Sequence, residues 1–208
     1  MKAIKFMAML LAAVILTFGA ASCGDDDDEK GGSAEESVAE LMQLSPKKAT
    51  LKGTSTEISL VLDYGKYTDT QVAKFSVDKE GNNILTSWVQ TVTFSSAKVA
   101  QAAYEVIEAN LIIEEDKDYV ELWKNSTKVS KNSIIADLIA IMEVEEEDLN
   151  LAYEWVEAWM AEDYYFAVED GAAGSVSGVD MSKYEEAWKS AATRADQTNK
   201  YIVERRKK

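Results

Sequence analysis

The sequence contains no histidine, a single cysteine and a single proline among its 208 residues. Histidine is the side chain whose ordinary pKa lies closest to 7, so its absence excludes histidine-dependent catalysis and histidine-ligated metal sites. Because Cys23 is the only cysteine, no internal disulfide can form, and packing alone must stabilise the fold. Any catalytic chemistry would have to use carboxylates, serine, lysine or tyrosine.

Positive charge is also scarce. The chain has 22 lysines and arginines against 37 aspartates and glutamates, which gives a formal net charge of −15. This balance disfavours nucleic acid as a partner, because phosphates require cationic neutralisation, and it provides no attraction to anionic lipid headgroups. Hydrophobic residues make up 47% of the chain, which is enough for a folded core.

The first 22 residues have the pattern of a secretory signal peptide. Lys2 and Lys5 precede an uncharged apolar run from Phe6 to Phe18, and small residues follow it. A transmembrane anchor is the alternative interpretation. The apolar run is too short for it, because a spanning helix needs about 20 apolar residues.

Cys23 follows Ala20-Ala21-Ser22 at the end of this segment. The pattern resembles the lipobox of bacterial lipoproteins, although Ala20 stands where leucine is more common. The resemblance implies that residues 1–22 are removed and that Cys23 becomes an acylated N-terminus, which would anchor the protein to a membrane through lipid. An ordinary signal peptide followed by a chance cysteine remains the alternative.

After Gly24 the chain has five consecutive acids, Asp25, Asp26, Asp27, Asp28 and Glu29. Such a run stays solvated, so it is either a hydrophilic spacer or a signal. Its position resembles the surface-export signal of Bacteroidota lipoproteins, which implies an outer-membrane location with exposure at the cell surface. Residues 23–33 would then be a flexible tether that reaches at most about 35 Å.

Residues 34–208 are expected to form one α+β domain, in which a small antiparallel sheet from the first half packs with helices from the second half. A short first helix is predicted over Ser33–Leu44, with Ser33 and Glu36 as a capping box and Pro46 beyond its end. Alternating residues such as Ile58, Leu60 and Leu62 then predict three or four strands up to Phe94.

The second half is predicted to be mainly helical. Ser95 or Ser96 caps a helix that runs to about Ile113, and Tyr119–Trp123 is expected to be a short strand. A helix is predicted from Ser133, and a second one begins with the acids Glu145–Asp148 in its first turn. Asp163–Val179 is expected to be a loop. The final helix starts at Asp180 or Ser182, and its apolar seam comprises Tyr184, Trp188, Ala191, Ala195, Thr198 and Ile202.

No motif predicts a catalytic residue, a cofactor or a metal site. The acidic cluster Glu114–Asp118 lacks the glycine that a calcium loop requires at its sixth position, so a solvated turn is expected there. Among the five tryptophans, Trp155 lies near the edge of the predicted apolar stripe of its helix. It is therefore the candidate for a partly exposed ring that contacts a ligand.

Three functions remain open at this level. The first is a non-catalytic, surface-anchored lipoprotein that binds an unidentified glycan, peptide or protein. The second is a structural subunit of an envelope assembly, which a large apolar patch would favour. The third is a carboxylate-dependent hydrolase, which two carboxylates with perturbed pKa values in one concave pocket would favour.

Overall fold

A computed structural model describes residues 34–115, 117–146 and 148–184, without the side chains of residues 34–37, Glu114 and Leu151. The predicted signal peptide, Cys23, the acidic run and the capping residue Ser33 lie outside the described residues. The predicted C-terminal seam also lies outside them, apart from Tyr184.

The centre of the fold is a seven-stranded sheet with the spatial order β5-β6-β4-β3-β2-β1-β7. Neighbouring strands are antiparallel except for β1 and β7, which are parallel. The strands are β1 (Lys48–Gly53), β2 (Glu57–Asp63), β3 (Thr68–Val77), β4 (Asn83–Thr93), β5 (Thr127–Ser130), β6 (Ser133–Asp137) and β7 (Ala173–Ser177).

Helices cover one face of this sheet. They are α1 (Ala34–Met42), α2 (Ala97–Glu114), α3 (Lys117–Ser126), α4 (Leu138–Ile141) and α5 (Ala152–Glu169), with a 3-10 turn over Leu149–Leu151. Helix α5 packs across β1 to β4 and β7, whereas α2 packs on β5 and β6. The predicted α+β class is confirmed, and the sheet gains three strands from the second half of the chain.

The predicted alternation in the first half sets the two faces of the sheet. Ile58, Leu60 and Leu62 of β2 are buried against the helices, while the residues between them remain partly exposed. A strand with a period of two buries one set of side chains and leaves the other toward solvent. The N-terminus of α2 is also as predicted, because the Ser96 hydroxyl accepts a hydrogen bond from the Val99 backbone N–H.

Two predictions for the middle of the chain are wrong. Tyr119–Trp123 belongs to helix α3 rather than to a strand, because Val120 and Trp123 are three residues apart and reach the core from one helix face. Residues Ser133–Asp137 form strand β6 rather than the start of a helix, and of the segment predicted to be helical from Ser133 only Leu138–Ile141 forms a helix. A short apolar run suits either structure, and here β4 provides the hydrogen-bonding partner through Val92 opposite Ile134.

The expected loop Asp163–Val179 is also wrong. Helix α5 continues to Glu169, where Gly171 at φ 99° ends it, and the Ala172 N–H donates to the Ala167 carbonyl. The chain then forms β7. The acids Glu145–Asp148 precede α5 and its 3-10 turn instead of forming the first turn of the helix.

The face of the sheet opposite the helices, called the open face below, contains no fully buried residue in the register row that crosses its centre. From β7 to β5, that row comprises Ser175, Thr50, Val61, Thr70, Thr91, Ile135 and Lys128. Apart from Lys128 at its end, this row has short hydroxyl-bearing and β-branched side chains, so its centre is uncharged and is not a continuous apolar patch.

Candidate functional site

Four polar side chains meet on the buried face, between the sheet and α5. They are Asp69 and Gln71 of β3, Gln90 of β4 and Asp163 of α5, and together they are called the acid–amide network. Strand periodicity places Asp69 and Gln71 on the inward side, and the register sets Gln71 directly opposite Gln90. Asp69, Gln71 and Gln90 are therefore part of the core layer of the sheet.

Each carboxylate in the network pairs with one amide. Gln90 donates from Nε2 to Asp69 Oδ2 over 2.8 Å, and Gln71 donates from Nε2 to Asp163 Oδ2 over 3.1 Å. Asp69 Oδ1 and Gln71 Oε1 are buried and have no hydrogen-bond partner among the described residues. The described ion pairs, Lys124–Glu108 and Lys183–Glu157, leave the network without a cation.

Burial without a cation changes the proton affinity of both acids. Desolvation raises the pKa of Asp69 to about 7; the hydrogen bond from Gln90 opposes this shift, and the charge of Asp163 adds to it. Desolvation also raises the pKa of Asp163 to about 6, against the hydrogen bond from Gln71. Asp163 keeps some contact with solvent, whereas Asp69 is only 5% exposed. The network therefore takes up protons near neutral pH.

Two tyrosines lie beside the network. The rings of Tyr64 and Tyr67 stack with centroids 4.3 Å apart, and Tyr67 also stacks on Phe94. Burial raises the pKa of the Tyr64 hydroxyl, and the charges of Asp69 and Asp163 raise it further. Both phenols therefore stay protonated at physiological pH.

A small cavity of about 30 Å³ adjoins the network at Gln90, under α2 and α3. Ile107 and Trp123 line it from the helices, and Thr127 lines it from β5 with a buried hydroxyl that has no described partner. This volume holds about two water molecules. Neither carboxylate lines the cavity, so it provides no space in which Asp69 and Asp163 act together on a substrate.

The candidate ligand contact Trp155 is half-buried rather than free-standing. The Trp155 ring contacts the Trp88 ring edge to face, with centroids 5.4 Å apart. The Trp159 ring also contacts the Trp88 ring edge to face, with centroids 6.1 Å apart. These contacts fix the orientation of Trp155 and leave only part of its surface for a ligand.

The predicted acidic clusters do not form a metal site within the described part of the chain. No group of three or more described histidine, cysteine or acidic side chains is arranged to hold a metal ion. Likewise, none of the described helices combines the length and the apolarity that a membrane span requires. Cys23 and the acids Asp25–Glu29 are outside the described residues and stay predictions.

The acid–amide network was not predicted from the sequence. One signal for it exists: the inward set of β3 reads Asp69, Gln71, Ala73 and Phe75, so polar residues occupy half of an otherwise apolar face. That set makes the hydrophobic alternation of β3 weak. The contribution of Asp163 has no comparable signal, because an acid on a helix is usually solvated.

The chain matches no protein-family model, no curated protein and no solved structure in comparisons with each of these sets. Functional inference therefore depends on the features of this chain itself: its N-terminal segment, the acid–amide network and the free surfaces of the sheet.

Proposed function

We propose that this chain is a surface-anchored, non-catalytic outer-membrane lipoprotein that acts as a binding or interaction module. The observation that carries the proposal is the N-terminal arrangement, in which an apolar run ends in Ala20-Ala21-Ser22-Cys23 and five acids follow. Lipid on Cys23 would hold the domain at the membrane, with residues 23–33 as the tether.

The described domain supports a binding role more than a catalytic one. Its two carboxylates with raised pKa values each accept a hydrogen bond from a glutamine inside the core, and neither lines the cavity. Its accessible surfaces include the open face and the partly exposed ring of Trp155. The partner is an unidentified glycan, peptide or protein, and nucleic acid is disfavoured by the charge of −15.

A hydrolase remains the second candidate because Asp69 and Asp163 have the raised pKa values that general acids need. A panel of glycoside and peptide substrates separates the two functions. Turnover that is abolished by Asp69→Asn and by Asp163→Asn, in variants that remain folded, would replace the binding role with a hydrolytic one.

Cys23 is predicted to carry the lipid. Expression in a bacterium supplied with labelled palmitate should label the wild type and leave Cys23→Ser unlabelled, because the thiol is the acylation site. Ser33→Ala leaves Ala20-Ala21-Ser22-Cys23 unchanged and serves as the control. Equal labelling of wild type and Cys23→Ser would refute lipidation at this residue.

The acidic run is predicted to direct export to the cell surface. In a Bacteroidota host, the domain of the wild type should be digested when intact cells are treated with protease. A variant in which Asp25–Glu29 are replaced by alanine and serine should be protected. Replacing the four aspartates Asp25–Asp28 with glutamate keeps the charge and separates charge from residue type. Equal protection of the wild type and the neutral variant would reduce the run to a spacer.

A further inference from the structure

We propose that the free edge of strand β7 is a self-association site, through which two copies of this chain pair antiparallel about Ser175. The two seven-stranded sheets would then join into one continuous sheet. This inference rests on the geometry of β7 and is independent of lipid anchoring.

Within the described residues, strand β7 lacks the features that usually protect a sheet edge. It has no charged residue, no proline and no bulge in its pairing with β1, and four of its five residues are exposed. The opposite edge is formed by β5, which has only four residues and contains Lys128. A lysine on an edge strand is a typical protection against edge pairing, and β7 has no charged residue.

The hydrogen bonding of β7 to β1 defines which backbone groups remain free. The Ala173 N–H donates to the Lys47 carbonyl over 2.9 Å, and the parallel register sets Ala173 opposite Lys48. In a parallel pair, alternate residues of a strand bond to the same neighbour. Ala173, Ser175 and Ser177 therefore bond toward β1, so the N–H and C=O groups of Gly174 and Val176 point to the outer side.

These outward groups are self-complementary. Gly174 and Val176 lie symmetrically on either side of Ser175, so a two-fold axis at Ser175 sets Gly174 of one copy opposite Val176 of the other. Each such pair exchanges two N–H···O=C bonds in an antiparallel ladder. One axis thus satisfies all four outward donors and all four outward acceptors of the two copies, as an isologous dimer contact requires.

The side chains next to the edge permit this approach. Ser175 projects on the open face beside Thr50, and both are small and uncharged. On the helix side, Val168 lies against Gly174 and is still 38% exposed. Two chains of net charge −15 would therefore meet along an uncharged strip with an apolar flank.

A second copy is favoured over an unrelated extended peptide as the partner. In the dimer, the outward N–H and C=O groups of both edge strands are hydrogen-bonded, and the same residues provide them on each side. It is also a small contact. A five-residue edge buries far less than the ~1,200–2,000 Å² of a standard interface, so we expect weak, concentration-dependent pairing. Cross-linking at a defined register detects such weak pairing better than a measurement of its affinity does.

The test uses the full chain with Cys23→Ser, in which one introduced cysteine is the only thiol. Ser175→Cys places the thiols of two copies opposite each other at a non-hydrogen-bonded position, about 4.5 Å apart at Cα, which a disulfide can bridge. Ser177→Cys is the control, because the same register keeps its two thiols about 14 Å apart. Two differently tagged copies are co-expressed so that the cross-linked partner is identified.

Mild oxidation should link the two tagged copies of Ser175→Cys at least about tenfold more efficiently than those of Ser177→Cys. Co-expression of Ala173→Cys with Ser177→Cys should restore the cross-link, because these positions face each other. Equal cross-linking of Ser175→Cys and Ser177→Cys, no cross-link at all, or a cross-link only to another protein would overturn the proposal.

A second variant tests the backbone bonds directly. Val176→Pro removes an outward N–H while leaving the bonds to β1 intact, and it should lower the Ser175→Cys cross-link about tenfold or more. Val176→Ala shortens the same side chain and keeps the N–H, so its cross-link should stay near the parent level. Circular dichroism shows whether both variants are folded. If both are folded and the cross-link falls equally in both, the Val176 N–H has no role in the contact.

Discussion

Replacement of Trp88 by alanine should lower the free energy of unfolding by about 3–5 kcal/mol. Trp88 of β4 is completely buried, and the rings of Trp155 and Trp159 from α5 meet it edge to face. Alanine would leave a cavity between strand β4 and helix α5, one of the two 18-residue helices that pack on the sheet. The rings of α5 cannot fill it without leaving their own positions, because protein interiors are close-packed.

Urea denaturation measures this effect through a lower midpoint at an unchanged slope. Phe166→Ala is the matched aromatic control, because Phe166 of the same helix is 48% exposed and its loss should cost less than about 1 kcal/mol. The loss of unfolding free energy in Trp88→Phe should lie between those of Trp88→Ala and Phe166→Ala. Phenylalanine keeps an aromatic ring and removes an indole N–H that has no described partner. Similar midpoints for Trp88→Ala and Phe166→Ala would contradict the packing described above.

The second large effect concerns pH. The pKa of Asp69 is about 7 in the folded protein, against an ordinary value of 3.8, so the folded state keeps a proton that the unfolded state releases. The resulting stabilisation is fully present below pH 4 and is lost as the pH rises through about 7. The difference between the two pKa values corresponds to about 4 kcal/mol of stabilisation of the folded state. About 2–3 kcal/mol of this stabilisation is lost between pH 5 and 8.

Between pH 5 and pH 8, the free energy of unfolding of Asp69→Asn should therefore rise by about 2–3 kcal/mol relative to that of the wild type. The asparagine carbonyl can still accept the hydrogen bond from Gln90, and no buried charge forms at high pH. Asp78→Asn is the control: this exposed acid has a lowered pKa because of its hydrogen bonds with Asn82, so its effect is confined to acidic pH. Denaturation curves across this pH range measure the difference. Parallel pH profiles of Asp69→Asn and the wild type would show that Asp69 does not titrate as inferred.

The acid–amide network, in which buried carboxylates pair with glutamines and with no cation, also bears on function. Both buried acids accept hydrogen bonds from glutamines of the same sheet, and removing one glutamine would leave a carboxylate with an unmet requirement for a donor. The network is consequently a structural feature whose stability depends on protonation. In the function proposed above, a change of external pH would therefore alter the stability of the core rather than the protonation of a catalytic group.

The elements that were predicted correctly are those whose signals are local. Ile58, Leu60 and Leu62 alternate within one strand, and Ser96 caps the helix that follows it directly. Such patterns require only neighbouring residues, because burial of a strand face and capping of a helix terminus act over a few positions. Local spacing also accounts for the apolar stripe of the helix that contains Trp155, where Ala152, Val156 and Met160 are buried.

Strands β6 and β7, which sequence reasoning missed, depend on partners that are distant in the chain. Strand β6 forms because β4 presents a free edge to a short apolar run, and β7 forms because β1 does the same for five small residues. Asp69 and Asp163 approach each other only when α5 lies across β3. Local composition determines whether a segment can be a helix or a strand. The tertiary structure decides which short segments find an edge and which acids become buried, because both outcomes depend on hydrogen-bond partners and desolvation that the rest of the fold provides.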